Sequence, residues 1–295
     1  MGIMKLALAV LVLSGLTACT PMEEGASLSE SPQYATESAL ALVNSVATES
    51  ERGNFALTAV VAPLAVSCGS FNPRSACNAA NQITTDWQDC FFPVGDGRLQ
   101  GGWVTTYNNT AACSQGQTGA LLTNQGFIRT SAGMTINGYY GGSLKFDTNA
   151  HSAYNSETIP ASGISVFNNG NSRAVTIAGA HRVLVDKDSK TLFDLSVTTP
   201  YSLTLMGARS TSNRVITSGQ VRVYNNTDEY IATSTFNNVK WTSNYCCYPT
   251  SGVITTTYED SKTGSSRLEF TSTCGSAKFT DVDSSTKSIT LVQCE

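Results

Sequence analysis

The chain has 295 residues with 18 basic and 22 acidic side chains, a formal net charge of −4, and only 14% of its residues are charged. This mild acidity is spread along the chain with no basic stripe, which argues against nucleic acid as a partner. Uncharged Ser, Thr, Asn and Gly must therefore solvate the surface, a composition that suits an exported protein better than a cytosolic enzyme.

Lys5 supplies a single basic start, Leu6 to Leu13 is an apolar run, and Ser14-Gly15-Leu16-Thr17-Ala18 leads into Cys19. That order is the plan of a secretory signal peptide. The run is too short for a spanning helix, which needs roughly 20 apolar residues. Leu16-Thr17-Ala18-Cys19 resembles the lipobox of bacterial lipoproteins. The resemblance implies cleavage before Cys19, acylation of its sulfur and new amino group, and anchoring in the cell envelope. Two or more acyl chains would hold the protein stably, whereas one is marginal. Because Thr20 is not Asp, the same resemblance favours the outer membrane over retention in the inner one.

Removing residues 1–18 leaves 277, enough for one large all-β domain or two smaller ones. Residues 19–31 are small, polar and acidic and read as a flexible tether. Residues 32–66 read as an N-terminal helix and an apolar segment. Ser31-Pro32 is a helix start, and Ala35, Ala39, Leu42, Val43 and Val46 then share one helical face. The plain reading is an amphipathic helix packed on a sheet. The sharper one is a helix that plugs or gates a β-cavity.

With Cys19 set aside for lipid, eight cysteines remain of the nine: Cys68, Cys77, Cys90, Cys113, Cys246, Cys247, Cys274 and Cys294. An even count in an exported chain reads as a disulfide framework, and two clusters of four favour pairing within each cluster. No C-x-x-C occurs and His is scarce, which disfavours zinc. Adjacent Cys246 and Cys247 are expected to bond to different partners. Residues 67–115, with Pro73, Pro93 and Gly101-Gly102, read as a Cys-rich loop region ordered by disulfides. Trp87, Phe91, Phe92 and Trp103 within it either pack around those disulfides or present rings to a sugar or peptide.

Residues 116–295 read as an antiparallel β-domain, although 32–295 is also compatible with one compact domain. Strands are expected from about Gly126 onward, at Ile164–Phe167, Ala174–Ile177, Arg182–Val185, Leu192–Thr198 and Leu203–Met206. Val215 to Tyr224 reads as one alternating strand. Tyr230–Trp241, Val253–Tyr258, Arg267–Thr271, Ala277–Thr280 and Lys287–Val292 follow. The expected class is mainly β, an antiparallel meander forming a sandwich or a curved, barrel-like sheet. Cys246-Cys247-Tyr248-Pro249-Thr250-Ser251-Gly252, with Thr273-Cys274-Gly275 and Cys294, resembles a C-terminal pattern of lipoproteins from predatory and related environmental bacteria. That resemblance covers roughly residues 210–295 and implies a disulfide-pinned meander, with no activity attached.

Few residues suggest chemistry. A serine hydrolase would have to use His151 or His181, with Asp147 and Ser143 near the former, but no Gly-x-Ser-x-Gly elbow is present. Both histidines read as exposed loop residues. The acids cluster in turns, as turn formers do, rather than as a glycosidase pair. Asp186 and Asp188 make a weak calcium candidate that lacks the central Gly and closing Glu of a calcium loop. No cofactor is expected. The functional expectation is a non-enzymatic envelope lipoprotein that meets the membrane through acylated Cys19 and binds an envelope or surface protein. A carrier of lipid or another apolar ligand, and a hydrolase, are the alternatives.

Overall fold

The computed structural model describes Thr36, Ala39 and Leu40 and then residues 75–291, apart from 92–97, 115–120, 133–134, 137–138, 162, 187, 208–211, 243–245 and 247. The expected leader, lipidated Cys19 and tether lie outside the described residues, as do Cys68, Cys247 and Cys294. Among the described residues no helix is long and apolar enough to cross a membrane.

Among the described residues, seventeen strands share one antiparallel sheet. At one side β1 (Gln82–Phe91) pairs with β2 (Arg98–Thr106), and β2 with β3 (Leu121–Ala132). The far edge of β3 is shared between two strands. Its Ile128–Ala132 end pairs with β5 (Tyr139–Asp147), which also carries short β4 (Thr135–Ile136); Leu121–Thr123 pairs with β8 (Ile164–Asn169). A two-stranded unit, β6 (His151–Ser152) with β7 (Thr158–Ile159), lies between β5 and β8 in the chain.

The same end-to-end arrangement then repeats. β8 and β5 pair with β9 (Ser172–Ile177) and β10 (Ala180–Asp186). Those pair in turn with β12 (Leu203–Gly207) and β11 (Thr191–Thr198). Next come β13 (Ser212–Ser218) and β14 (Gln220–Asn225), both of which pair with the long β15 (Tyr230–Thr242). The meander closes with β16 (Ser251–Asp260), β17 (Gly264–Phe270), β18 (Ser276–Thr280) and β19 (Thr286–Thr290). The result is a single curled sheet shaped like a half-barrel.

Period-two alternation sorts side chains to the two faces. Val175, Ile177, Leu184, Phe193, Leu195 and Leu205 point inward and belong to one buried core with Phe236, Trp241, Leu268 and Phe279. Each such side chain contributes roughly 1.5–3 kcal/mol by leaving water. Arg173, Arg182 and Arg214 are also buried. Arg182 lies over the Phe193 ring at 5.3 Å and Arg214 over Trp241 at 4.4 Å. Thr36, Ala39 and Leu40 are helical and buried against this face, with Thr36 Oγ1 2.7 Å from Thr256 Oγ1.

Two expectations need correction. The Cys-rich stretch contains two long strands that continue the main sheet, not only loops. The Gly101-Gly102 pair, read as part of that loop region, sits at a register shift inside β2. Gly101 takes φ 66°, and a β-carbon on Gly102 would meet the Thr85 carbonyl oxygen at 1.8 Å. The glycines therefore permit close pairing of β1 and β2. The second correction concerns Val215–Tyr224, which is two strands whose buried set changes parity from Arg214 and Ile216 to Val221 and Val223. The change falls at Gly219, with φ 129°.

Candidate functional site

β5 and β8 occupy one position in the sheet, so residues 148–163 between them must leave it. This strap folds across the outer face of β10, β11 and β14. Asn155 and Ser156 take left-handed φ values of 60° and 59°, which turns the strap tightly back on itself. Asn tolerates that region better than most residues. The Ala153 N–H donates to Glu157 O at 2.8 Å across the turn.

A small apolar cluster seats the strap: Ala153, Ile159 and Tyr154 pack on Tyr224 and Ile231. Gly179 must be small here, because a β-carbon would meet Ile159 Cγ2 at 2.3 Å. Leu195-Ser196-Val197 and Val223-Tyr224-Asn225 are each three buried residues in succession. Such runs break the in–out alternation and mark where both faces of the sheet are covered.

Polar contacts hold the same strap. The Tyr154 N–H donates to Asn226 Oδ1 at 2.7 Å, Tyr224 O–H to Glu157 Oε1 at 2.8 Å, and Asn155 Nδ2 to Asp260 Oδ2 at 3.2 Å. At the strap's start His151 stacks on His181 of β10, with ring centroids 4.5 Å apart and planes 19° from parallel. His151 Nδ1 lies 2.9 Å from Asn149 O, and its Nε2 lies 3.0 Å from Ser196 Oγ. His181 Nε2 lies 2.7 Å from Asp194 Oδ1. Asn226 Nδ2 donates to both Asp194 Oδ1 (2.6 Å) and Ser196 Oγ (3.1 Å).

This geometry fixes proton positions. A carbonyl only accepts, so His151 Nδ1 carries the hydrogen, and in the neutral ring Nε2 accepts the Ser196 hydroxyl proton. Asp194 likewise accepts from His181 Nε2–H. Burial pushes the His151 pKa down, and the charge His181 carries when protonated adds to that. Asp194 is pushed up by burial, but hydrogen bonds from His181 and Asn226 outweigh this and hold its carboxyl below the ordinary value. Asp147 also ends below it: burial raises it, while Lys145 at 2.7 Å and the Asn149 N–H lower it.

The two histidines, read from sequence as exposed loop residues, are thus half-buried, stacked and hydrogen-bonded. The serine that meets His151 is Ser196. Sequence spacing did not bring Ser196, Asp194 and Asn226 together with His151, because the strap that gathers them is a tertiary feature. The Ser196–His151 pair has the polarity of a nucleophile and base. However, Ser196 is fully buried, and a backbone carbonyl stands where a triad carboxylate would orient the ring. The parallel ring planes direct the in-plane lone pairs side by side, so they do not converge on one ion. Among the described residues no group of His, Cys, Asp or Glu is arranged to hold a metal.

The remaining candidates are turn formers. Asp186 Oδ1 accepts the Asp188 and Lys190 N–H groups, which closes the β10–β11 hairpin. Cys77 bonds to Cys113 and Cys246 to Cys274, each within its own cluster, and Cys90 is also disulfide-bonded. Trp103 is buried. No family model, curated protein or solved structure matches the chain.

Proposed function

We propose that this chain is a lipid-anchored envelope protein, held in a membrane by acylated Cys19, with a structural or binding role rather than a catalytic one. The observation that carries the reading is the leader ending in Leu16-Thr17-Ala18-Cys19. Cystines closed within each cysteine cluster support it, since disulfides persist in oxidising compartments. A binding role is favoured by the hydroxyl-rich outer face of the last strands. Thr233, Thr257 and Ser265 lie in one cross-strand row, and Thr235 and Thr255 in the next. The outer membrane is the favoured location and an envelope or surface protein the favoured partner.

One observation favours a second reading, a carrier of an apolar ligand. The helical residues Thr36, Ala39 and Leu40 lie on the inner side of a curled sheet, where such a ligand would sit.

Intact and non-reducing peptide mass spectrometry of the membrane-extracted protein tests the main reading. It predicts an N-terminal, fatty-acylated Cys19 and no free thiols. An unmodified Cys19 or several free thiols would overturn it. Photo-crosslinking with an apolar probe that labels the inner-face residues would move the assignment to the carrier.

A further inference from the structure

We propose that residues 148–163 are a pH-released strap, shut while His151 is neutral and lifted when His151 takes up a proton, which uncovers Ser196, Tyr224 and Ile231. The hydrogen-bond polarity at the strap's start carries the proposal. Ser196 Oγ receives a hydrogen from Asn226 Nδ2 and gives its own to His151 Nε2, while His151 Nδ1–H is committed to the Asn149 carbonyl. A protonated ring has a hydrogen on both nitrogens. Nε2 must then donate to an oxygen that already accepts from Asn226, and the Ser196 hydroxyl hydrogen loses its acceptor. Ser196 is fully buried, so the displaced hydroxyl has no ready access to water.

The surroundings offset this only in part: burial and the facing His181 disfavour the charged ring and outweigh the Asn149 carbonyl, Asp147 and Asp194, which favour it. Asp147, on β5, is engaged by Lys145 and the Asn149 N–H. Asp194, on β11, is engaged by His181 and Asn226. His181, on β10, faces His151 ring to ring, so two protonated imidazoles would stand 4.5 Å apart. From β14, Tyr224 faces Glu157 of the strap and Arg222 is paired with Glu259; at the far end Asp260 binds Asn155. Both neighbouring carboxylates are thus already committed to other donors. Burial of His151 acts in the same direction, since it disfavours the charged ring.

The strap is seated apart from the main core. Its apolar seat is the small cluster of Ala153, Ile159, Tyr224 and Ile231, separate from the main core, so it can lift without opening the sheet. Once lifted, it would leave an apolar spot and a serine hydroxyl on the outer face.

The test is hydrogen exchange by mass spectrometry on the full chain in detergent at about pH 7.5 and about pH 5, corrected for intrinsic exchange. Peptides covering 148–163 are compared with β16–β17 peptides. The strap is expected to lose protection several-fold at the lower pH, the reference strands to hold theirs, and His151→Gln to abolish the difference. Equal strap protection at both pH values in the wild type would overturn the proposal, as would an undiminished pH effect in His151→Gln. Should His151→Gln leave the strap open at both pH values, NMR titration of the wild type decides. The His151 ring resonance and the Tyr154 amide must then change at one shared midpoint, and separate midpoints would overturn the proposal.

Discussion

Gly219 lies so close against Leu203 that a β-carbon on it would come 2.6 Å from the Leu203 Cα and 2.8 Å from the Ser202 carbonyl oxygen. Its φ of 129° is one that side-chain-bearing residues rarely adopt. Both constraints fall where the inward-facing set of β13 and β14 changes parity. Gly219→Ala is expected to destabilise the fold by about 2–4 kcal/mol, with its strain added to the backbone shift needed to relieve the clash. Urea denaturation measures this, and a loss under about 0.5 kcal/mol would show that the kink is not required.

The Cys77–Cys113 and Cys246–Cys274 cystines should act on different parts of the sheet but with similar magnitude. They close loops of sequence separation 36 (Cys77–Cys113) and 28 (Cys246–Cys274). Chain entropy gives about 3–4 kcal/mol for each. Replacing Cys246 and Cys274 together with Ala should lower the thermal midpoint and loosen the 246–250 segment against the β17–β18 turn. Cys77 and Cys113 replaced together should loosen the β1–β2 end instead. Hydrogen exchange distinguishes the two, and an identical pattern for both would contradict the assignment.

Most of the meander can be read directly from the sequence, and the residues say why. Between Ile164 and Thr290 most strands alternate, as in β9, β10, β16 and β17, because one face is wet and the other buried, and Asp and Asn mark several of the turns. Val253–Tyr258 and Ala277–Thr280 fall inside β16 and β18. β1 is harder to recognise, since Thr84, Thr85 and Asp86 make it polar, and β2 is masked by Gly101-Gly102. The candidate site is less legible still. Asp147, His151, His181, Asp194, Ser196 and Asn226 come from three strands, a strap and the turn after β14, and no local spacing signals where a strap will lie. The parity change at Gly219 was available only as a glycine inside an otherwise alternating run, a signal for a bulge or a close approach.

Acid should destabilise the protein in two steps. His151 has a folded pKa below its ordinary value of 6.5, so its contribution is present above 6.5 and is lost as pH falls through the lower folded value. Asp194 is depressed below 3.8, so its contribution is intact above 3.8 and disappears only at more acid pH. Stability measured against pH should therefore fall first in the weakly acidic range and again below the ordinary carboxylate range. His151→Gln should remove the first step. Asp194→Asn should reduce the second and cost about 1 kcal/mol at neutral pH, through the weakened His181 and Asn226 hydrogen bonds. A single transition unchanged by either substitution would count against both groups.

The Arg222–Glu259 pair predicts a small effect despite good geometry. Both guanidinium nitrogens meet the carboxylate, at 3.1 and 2.9 Å, but the side chains are 26% and 45% exposed. A double-mutant cycle to Ala should give a coupling of about 0.5–1 kcal/mol that shrinks in high salt. A salt-insensitive coupling well above that would mean the pair is shielded by something bound on the outer face.

Thr36 and Thr256 test whether the N-terminal helix is seated inside the curled sheet. Their hydroxyls lie 2.7 Å apart, Thr256 Oγ1 is also 2.9 Å from Ser234 Oγ, and all three residues are buried. Removing the Thr36 hydroxyl takes one of two hydrogen bonds from buried Thr256, which keeps Ser234, so Thr36→Val alone should cost about 0.5–1.5 kcal/mol. Thr36→Val combined with Thr256→Val should cost less than the two single changes summed, because both remove the same Thr36–Thr256 hydrogen bond. Leu40→Ala, in the same helical face, should cost about 2–5 kcal/mol through the cavity it leaves in the core. Near-zero coupling between the threonines together with a neutral Leu40→Ala would place the helix away from the inner face. The carrier reading would then lose its only structural support, while the lipid-anchored reading would stand untouched.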